Sequence, residues 1–401
     1  MVKKTAIRNL YVDIGDFMRK VAVLGIGQTK ISEHWAVSPR ELAANAVLAA
    51  LKDAGRTQVD GLFVGNMLSG SLNQQGNLAS LIAEWSGLNP AESTKVETAC
   101  SSGGSAFRAG LIAVASGEMN SAMVVGVEKM SDAKMTDTAA ALAAAADADY
   151  ETAHGLSFVA LNALIMHRYM HEYGWNHSDF APFSIAAHQN AVHNSYARLQ
   201  ALISENDYSQ ARMIAEPINL LDASPIGDGA AAVLLVPAES AAATRDAPQV
   251  NVNASAAATD RIAIHDRNDP LWLTAAEISV KKAYSQAGVG PEDIDIFELH
   301  DAFSIMSALS LEACGFAGRG KGPRLGLEQE ITLTGRIPIS TFGGLKARGH
   351  PVGATGIYQI VELTQQLRGE AGGNQVEPAR IGMAQNIGGI GATVVTHILA
   401  N

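Results

Sequence analysis

The stretch SPRELAANAVLAALKDAGRTQVDGLFVGNM, residues 38–67, carries apolar residues at helical spacing, then an Ala-Gly stop, then a short apolar run after Val59-Asp60. That order predicts a helix followed by a buried strand. Residues 274–303, TAAEISVKKAYSQAGVGPEDIDIFELHDAF, repeat it: helix, Ala-Gly stop, Ile-Asp, strand. A helix-strand unit that recurs in both halves points to a chain made of two copies of one α/β lobe.

The correspondence extends outward. Cys100-Ser-Ser-Gly-Gly leads into a helix in the first half, and His350-Pro-Val-Gly-Ala-Thr-Gly does so in the second. Both lead on to apolar strands, AMVVGVEKM and RIGMAQNIGG. Each half then closes on a Gly-rich turn and a strand, GDGAAAVLLVP at 227–237 and GGIGATVVTHILA at 388–400. Strands this apolar need cover on both faces, which favours a layered α/β architecture. The expected organisation is an N-terminal extension at 1–20, a first lobe at 21–245 and a second at 246–401. The first lobe carries an insertion at about 131–216, rich in Ala, His, Tyr and Asn, of the kind that shapes ligand sites.

Composition sets the bounds. A chain of 401 residues is longer than one core usually grows, and 47% hydrophobic with 17% charged residues describes an ordinary folded chain. The net charge of -11 argues against nucleic acid and anionic lipid as partners. Two cysteines build no disulfide framework, and no apolar run reaches the roughly 18 residues of a membrane span. A reducing cytoplasm fits best. Residues 1–20 lack the apolar stretch of a secretory signal, and Met18 is a second candidate start.

Cys100 precedes Ser-Ser-Gly-Gly and a helix, where unpaired backbone N–H groups and the helix dipole favour a thiolate. A lone cysteine is more often inert packing. His350 holds the matching position of the second half, so the pseudo-two-fold brings it toward Cys100, where an imidazole can take the thiol proton. His300 lies at the end of a predicted strand, followed by Asp301, which would otherwise hold a turn. His167 and His171 share one helix face, but no third ligand has suitable spacing, so no metal is expected. Gly25-Ile26-Gly27 lacks the third glycine of a dinucleotide loop.

These residues resemble the thiolase superfamily, and within it the archaeal and sterol-carrier-protein-like thiolases. The blocks that carry the resemblance are VETACSSGG, GVEKM, SPIGDGAAAV, HDAF, GGLKARGHPVGATG and QNIGGIGATVV. It implies a layered αβαβα fold and an acyl-CoA acyltransferase, either condensing acetyl-CoA to acetoacetyl-CoA or cleaving a 3-oxoacyl-CoA. Cys100 would carry the acyl group and His350 would activate it. His300 would replace the asparagine many thiolases use, and with His350 would line one oxyanion hole. Gly388 would pair with the Cys100 N–H in a second hole, with Asn386 and Asp301 in support. Gly344, Gly349 and Pro351 would meet the substrate, and the insertion would face coenzyme A. The resemblance implies no permanently bound cofactor, CoA thioesters as substrates, and a homodimer or homotetramer. Archaeal-type relatives add a small zinc-ribbon and OB-fold protein and a hydroxymethylglutaryl-CoA synthase.

One departure stands out. Many thiolases carry a second cysteine where this chain has Asn386, and relatives without it often have one inside the His-Asp segment, where this chain has Ala302. Cys314, in LEACGFAG, is expected to pack a helix end. A decarboxylating condensation, which needs no base, therefore stays open, as does a non-catalytic acyl-CoA-binding scaffold. A related steroid side-chain aldolase would carry tyrosines in place of His300 and His350.

Overall fold

The computed structural model describes residues 18–241 and 248–401. Residues 1–17 of the expected extension, and the expected lobe boundary at 245/246, lie outside them.

The first half runs β1 (Val21–Gln28), α1 (Pro39–Ala54), β2 (Gly61–Gly65), α2 (Leu78–Trp85), β3 (Glu92–Val96), α3 (Ser102–Ala115) and β4 (Ala122–Glu128). A long segment follows with α4 (Met135–Ala143), α5 (Phe158–Tyr173), α6 (Ala181–Ala191), α7 (Glu205–Gln210) and a small ribbon, β5 (Met213–Ala215) with β6 (Ile218–Asn219). Then come β7 (Gly229–Pro237) and α8 (Ala238–Ala241). The second half has β8 (Val250–Thr259), α9 (Thr274–Ala287), β9 (Ile296–Glu298), α10 (Ser304–Ala313), α11 (Gly322–Leu327), α12 (Thr355–Arg368), β10 (Ile381–Gly388) and β11 (Thr393–Ala400).

The large strands form one sheet in the order β3-β2-β4-β7-β1-β8-β11-β10-β9. Its symmetry is that of the repeat. β2 runs parallel to β4, which is antiparallel to β7; likewise β9 runs parallel to β10, which is antiparallel to β11. The halves meet where β1 and β8 pair at two positions, Ala22 with Asn251 and Val23 with Val250. The place of β3 is taken in the second half by a single parallel bridge, Ile339 to Phe297 of β9.

Alternation along each strand distributes the core into layers. In β1, Ala22 and Leu24 face a cluster with α1 and α2, whereas Val21 and Val23 face a central cluster with Phe107 of α3 and Ile357 of α12. β7 divides the same way, Leu234 outward and Leu235 inward. A third cluster joins α9 and α10 to the far face of the second half, with Phe180 and Tyr169 of the inserted segment. The helix, strand, helix, strand, helix order matches the layered fold expected from the sequence.

Local chemistry sets the elements. Ser38 caps α1 in a reciprocal box, its Oγ accepting from the Glu41 N–H while Glu41 Oε2 accepts from the Ser38 N–H at 2.8 Å. Gly55 ends the helix at φ 61°, which costs glycine little. Among the described residues no helix is long and apolar enough to cross a membrane.

Candidate active site

Cys100 lies between β3 and α3 in a tight elbow. Ala99 before it takes φ 53°, a left-handed conformation uncommon outside glycine, and the Thr98 carbonyl accepts from both the Ser101 N–H at 3.2 Å and its Oγ at 2.6 Å. Such backbone persists where surrounding structure over-determines it, often at functional sites. The thiol is 5% exposed. Burial, reinforced by the nearby Glu128 carboxyl, pushes its pKa up to about 12, while the N–H groups of Cys100 itself and of Gly389 point at the sulfur and oppose the rise.

His350 opens the turn before α12. Its N–H donates to Pro225 O at 3.1 Å, and its Nδ1 lies 2.7 Å from Thr355 Oγ1, at the first residue of the helix. With its proton on Nδ1 and donated to Thr355, the ring keeps an Nε2 lone pair for the site. His300 follows β9, where Gln359 Nε2 of α12 donates to the carbonyls of Glu298 and Leu299. The loop before β7 ties both histidine segments together: Ser224 N–H donates to Ala302 O at 2.9 Å, and Ile226 bridges to His350.

The repeat thus brings the three residues into one place. Cys100 Sγ and one nitrogen of each of His300 and His350 lie within 4.8 Å of one another. The two imidazoles meet edge to face, centroids 5.1 Å apart. Burial, with the Arg348 charge behind it, lowers His300 to about 3, and burial, His300 and Arg348 hold His350 well below its ordinary value. Thiol and imidazoles are therefore all uncharged at rest. The arrangement can make a thiolate by proton transfer to an imidazole and offer N–H donors to an oxyanion.

The supporting residues fall into two groups. Asn386, on β10, has Nδ2 3.2 Å from His300 Nδ1, and Asp301 Oδ1 accepts the Leu345 N–H at 2.7 Å, holding the wide turn Gly344–Arg348 beneath His350. Gly388, expected as the donor facing Cys100, instead packs its Cα against Thr98 O and Ser101 and borders a second cavity of about 430 Å³; its neighbour Gly389 supplies the amide. Gly344, Gly349 and Pro351 do not form the wall of the main cavity, to which Lys346, His350 and Val352 contribute from the same segment. Gly344 and Gly349 have φ 53° and 111°, and side chains there would strike Asp301 and Ile31. Their service is to the turn.

That main cavity measures about 720 Å³ and opens beside Cys100, His300 and His350. Its wall is largely apolar, with Leu142, Phe158 and Val159 from the inserted segment and Met306 from α10. His167 and His171 lie exposed on α5, away from it. Cys314 ends α10, buried, with Gln385 Nε2 donating to its sulfur at 3.2 Å.

Sequence reasoning missed three supports. Thr355 was signalled by a hydroxyl five residues after His350 at a helix start. Glu128 accepts the N–H groups of Met67, Leu68 and Gly353 and so joins the two halves behind Cys100; burial raises it to about 7. Arg348 is wholly buried, paired to Glu362 and stacked 5.2 Å from the Tyr358 ring, and no sequence signal marks a charge that is hidden.

Comparison with known proteins places the chain in a family. The family described as "Thiolase, N-terminal domain" matches residues 21–239, and "Thiolase C-terminal domain-like" matches residues 256–401. An acetyl-CoA acetyltransferase of Methanothermobacter thermautotrophicus is 45% identical over 385 residues, covering 96% of this chain and all of the relative. Benzoylsuccinyl-CoA thiolase subunit BbsB of Thauera aromatica is 33% identical, covering 92% and 95%. The solved Ltp2-ChsH2(DUF35) aldolase superposes with a TM-score of 0.83 at 24% identity over 96% of this chain and 98% of that one, a likeness of fold. With both family domains spanning its two halves, the chain belongs to the thiolase family and is an acyltransferase.

Proposed function

We propose that the protein passes an acyl group between coenzyme A thioesters through Cys100, cleaving acetoacetyl-CoA with coenzyme A or forming it from two acetyl-CoA molecules. The observation that carries this reading is the gathering of Cys100, His300 and His350 within 4.8 Å at one end of an apolar cavity. The 45% identity to a whole acetyl-CoA acetyltransferase supports acetyl-CoA as the substrate.

In this reading His350 takes the thiol proton as Cys100 attacks the 3-oxo carbon. The tetrahedral oxyanion accepts from the Cys100 and Gly389 N–H groups, and the departing enolate oxygen accepts from His300. The acyl-cysteine splits one hard step in two, and the donors act most strongly on charge that develops at the transition state. The inserted segment faces the pantetheine arm. Gly344, Gly349 and Pro351 fix the backbone of the turn from which His350 reaches the substrate.

We further assign the protein to the cytoplasm, where its two buried free thiols stay reduced, and to a homodimer or homotetramer. The aldolase neighbour named for two components supports a companion protein, for which a zinc-ribbon and OB-fold partner or a hydroxymethylglutaryl-CoA synthase is the candidate.

The test is thiolysis of acetoacetyl-CoA with coenzyme A, followed by loss of the substrate's enolate absorbance, with wild type beside Cys100→Ala. Wild type turns over, and the variant falls by on the order of 10⁴-fold or more. No wild-type turnover, with malonyl-CoA consumed instead, would transfer the assignment to decarboxylating condensation.

A further inference from the structure

Asn386 stands where many thiolases carry a second cysteine, and its contacts give it another task. The Gly104 N–H of α3 donates to Asn386 Oδ1 at 3.1 Å, which turns the amide so that Nδ2 faces His300 Nδ1 at 3.2 Å. The side chain is wedged in that orientation between the first turns of α3 and α12. A Cβ on Gly104 would lie 3.0 Å from Asn386 Cβ, and one on Gly356 would lie 2.3 Å from its Oδ1.

A carboxamide nitrogen only donates, so His300 Nδ1 accepts. The neutral ring then carries its proton on Nε2, the nitrogen left for the cavity. Buried beside the Arg348 charge, the ring stays neutral. His300 can thus give a hydrogen bond to an oxyanion but has no lone pair with which to take a proton.

The other ionisable groups on the cavity wall are engaged or distant. His188 Nδ1 meets Ala201 O at 2.9 Å, Lys346 Nζ donates to Asp222 O and Ser304 Oγ, and Arg198 pairs with Glu33. Arg212 is exposed at the mouth. Glu128, behind Cys100, is off the cavity wall, and its two oxygens accept from Asn66 Nδ2 and the N–H groups of Met67, Leu68 and Gly353. Among the described residues of the cavity wall, His350 is left as the base beside the sulfur.

We infer that Asn386 is a positioning residue that fixes His300 as a donor, so that His350 alone takes and returns every proton of the cycle. The inference rests on the acyl-transfer reading above. In thiolysis, the Cys100 proton passes to His350 as Sγ bonds the 3-oxo carbon. The C2–C3 bond then breaks with its electron pair on C2, giving an enolate whose oxygen accepts from His300. His350 returns the proton to C2, and acetyl-CoA leaves. Coenzyme A next gives its thiol proton to His350 while its sulfur takes the acyl group, and the released Cys100 thiolate takes that proton back. His350 begins and ends neutral, and no second thiol is needed.

The test separates enolate formation from acylation. Cys100→Ala cannot be acylated, yet by this account it exchanges the methyl protons of acetyl-CoA for deuterium in heavy water, read by proton NMR. Adding His350→Asn should lower the exchange by about 10²-fold or more, the usual worth of a general base. Adding Asn386→Ala to Cys100→Ala should lower it roughly 10- to 100-fold, through loss of a fixed oxyanion donor. Asn386→Ala with Cys100 intact should slow acylation, read as the burst of coenzyme A from acetyl-CoA, by several-fold less than that.

Exchange that survives His350→Asn would overturn the single-base assignment, as would a Cys100→Ala protein that binds acetyl-CoA without exchanging it. Equal losses of acylation and exchange in the Asn386→Ala proteins would make Asn386 merely structural. Wild-type thiolysis is measured alongside; its absence would count against the acyl-transfer reading itself.

Discussion

Cys100 is the less acidic for its position, not the more. Burial and the Glu128 carboxyl hold the thiol near 12, and burial drives both neighbouring imidazoles down, so thiolate and imidazolium do not accumulate at neutral pH. In the proposed mechanism the nucleophile is made when His350 accepts the proton. The pH dependence follows. With a pKa above the measured window, thiolate rises with pH, so alkylation of Cys100 by iodoacetamide in His350→Asn should climb about tenfold per pH unit from roughly pH 7 to 10 without levelling. A plateau near the ordinary thiol value of about 8.5 would contradict this account of burial. Cys100, His300 and His350 were legible because each stands at a helix start or strand end fixed by the repeat. The choice between Gly388 and Gly389 was not, because which amide turns inward depends on how β10 leaves the sheet. The hidden Arg348 pairs with a residue fourteen positions on, and an arginine in a sequence looks like a surface residue.

At the level of elements, the glycines at 25 and 27 show how a motif changes meaning in context. They sit within β1, and a Cβ on either would come 2.3 Å from a backbone carbonyl of α1, Ala50 O or Ala46 O. Their absence of side chain lets the helix lie directly on the strand. Gly25→Ala should therefore destabilise the fold by about 1–3 kcal/mol through overpacking, seen as a lower urea midpoint at unchanged slope. An unchanged midpoint would mean that α1 can move away at no cost. The bounds of α1 were readable from Ser38, Glu41 and Gly55, which act within one turn of the chain. β3 was harder. Its sequence, ESTKV, has none of the continuous apolar run of the inner strands, because it pairs on one side only and its side chains are half-buried or exposed.

In the whole molecule, the two halves build the site by what each lacks. The first supplies the thiol at the start of α3, the second both imidazoles and Asn386, and the close approach of α3 to α12 at Gly103, Gly104 and Gly356 allows them to meet. The repeat made this meeting foreseeable from sequence. The cavity was not foreseeable, since its wall joins the inserted segment to α10 and to loops more than a hundred residues apart. Its apolar lining beside a neutral thiol and two neutral imidazoles is what an acyl thioester requires, and the central claim is that Cys100 carries the acyl group. The most direct measurement is mass spectrometry of the digested protein after brief exposure to acetyl-CoA and acid quench. The account predicts one acetyl group, on the peptide containing Cys100, removed when coenzyme A is added before the quench. Turnover of acetoacetyl-CoA with Cys100 unmodified, or an acetyl group carried elsewhere, would contradict it.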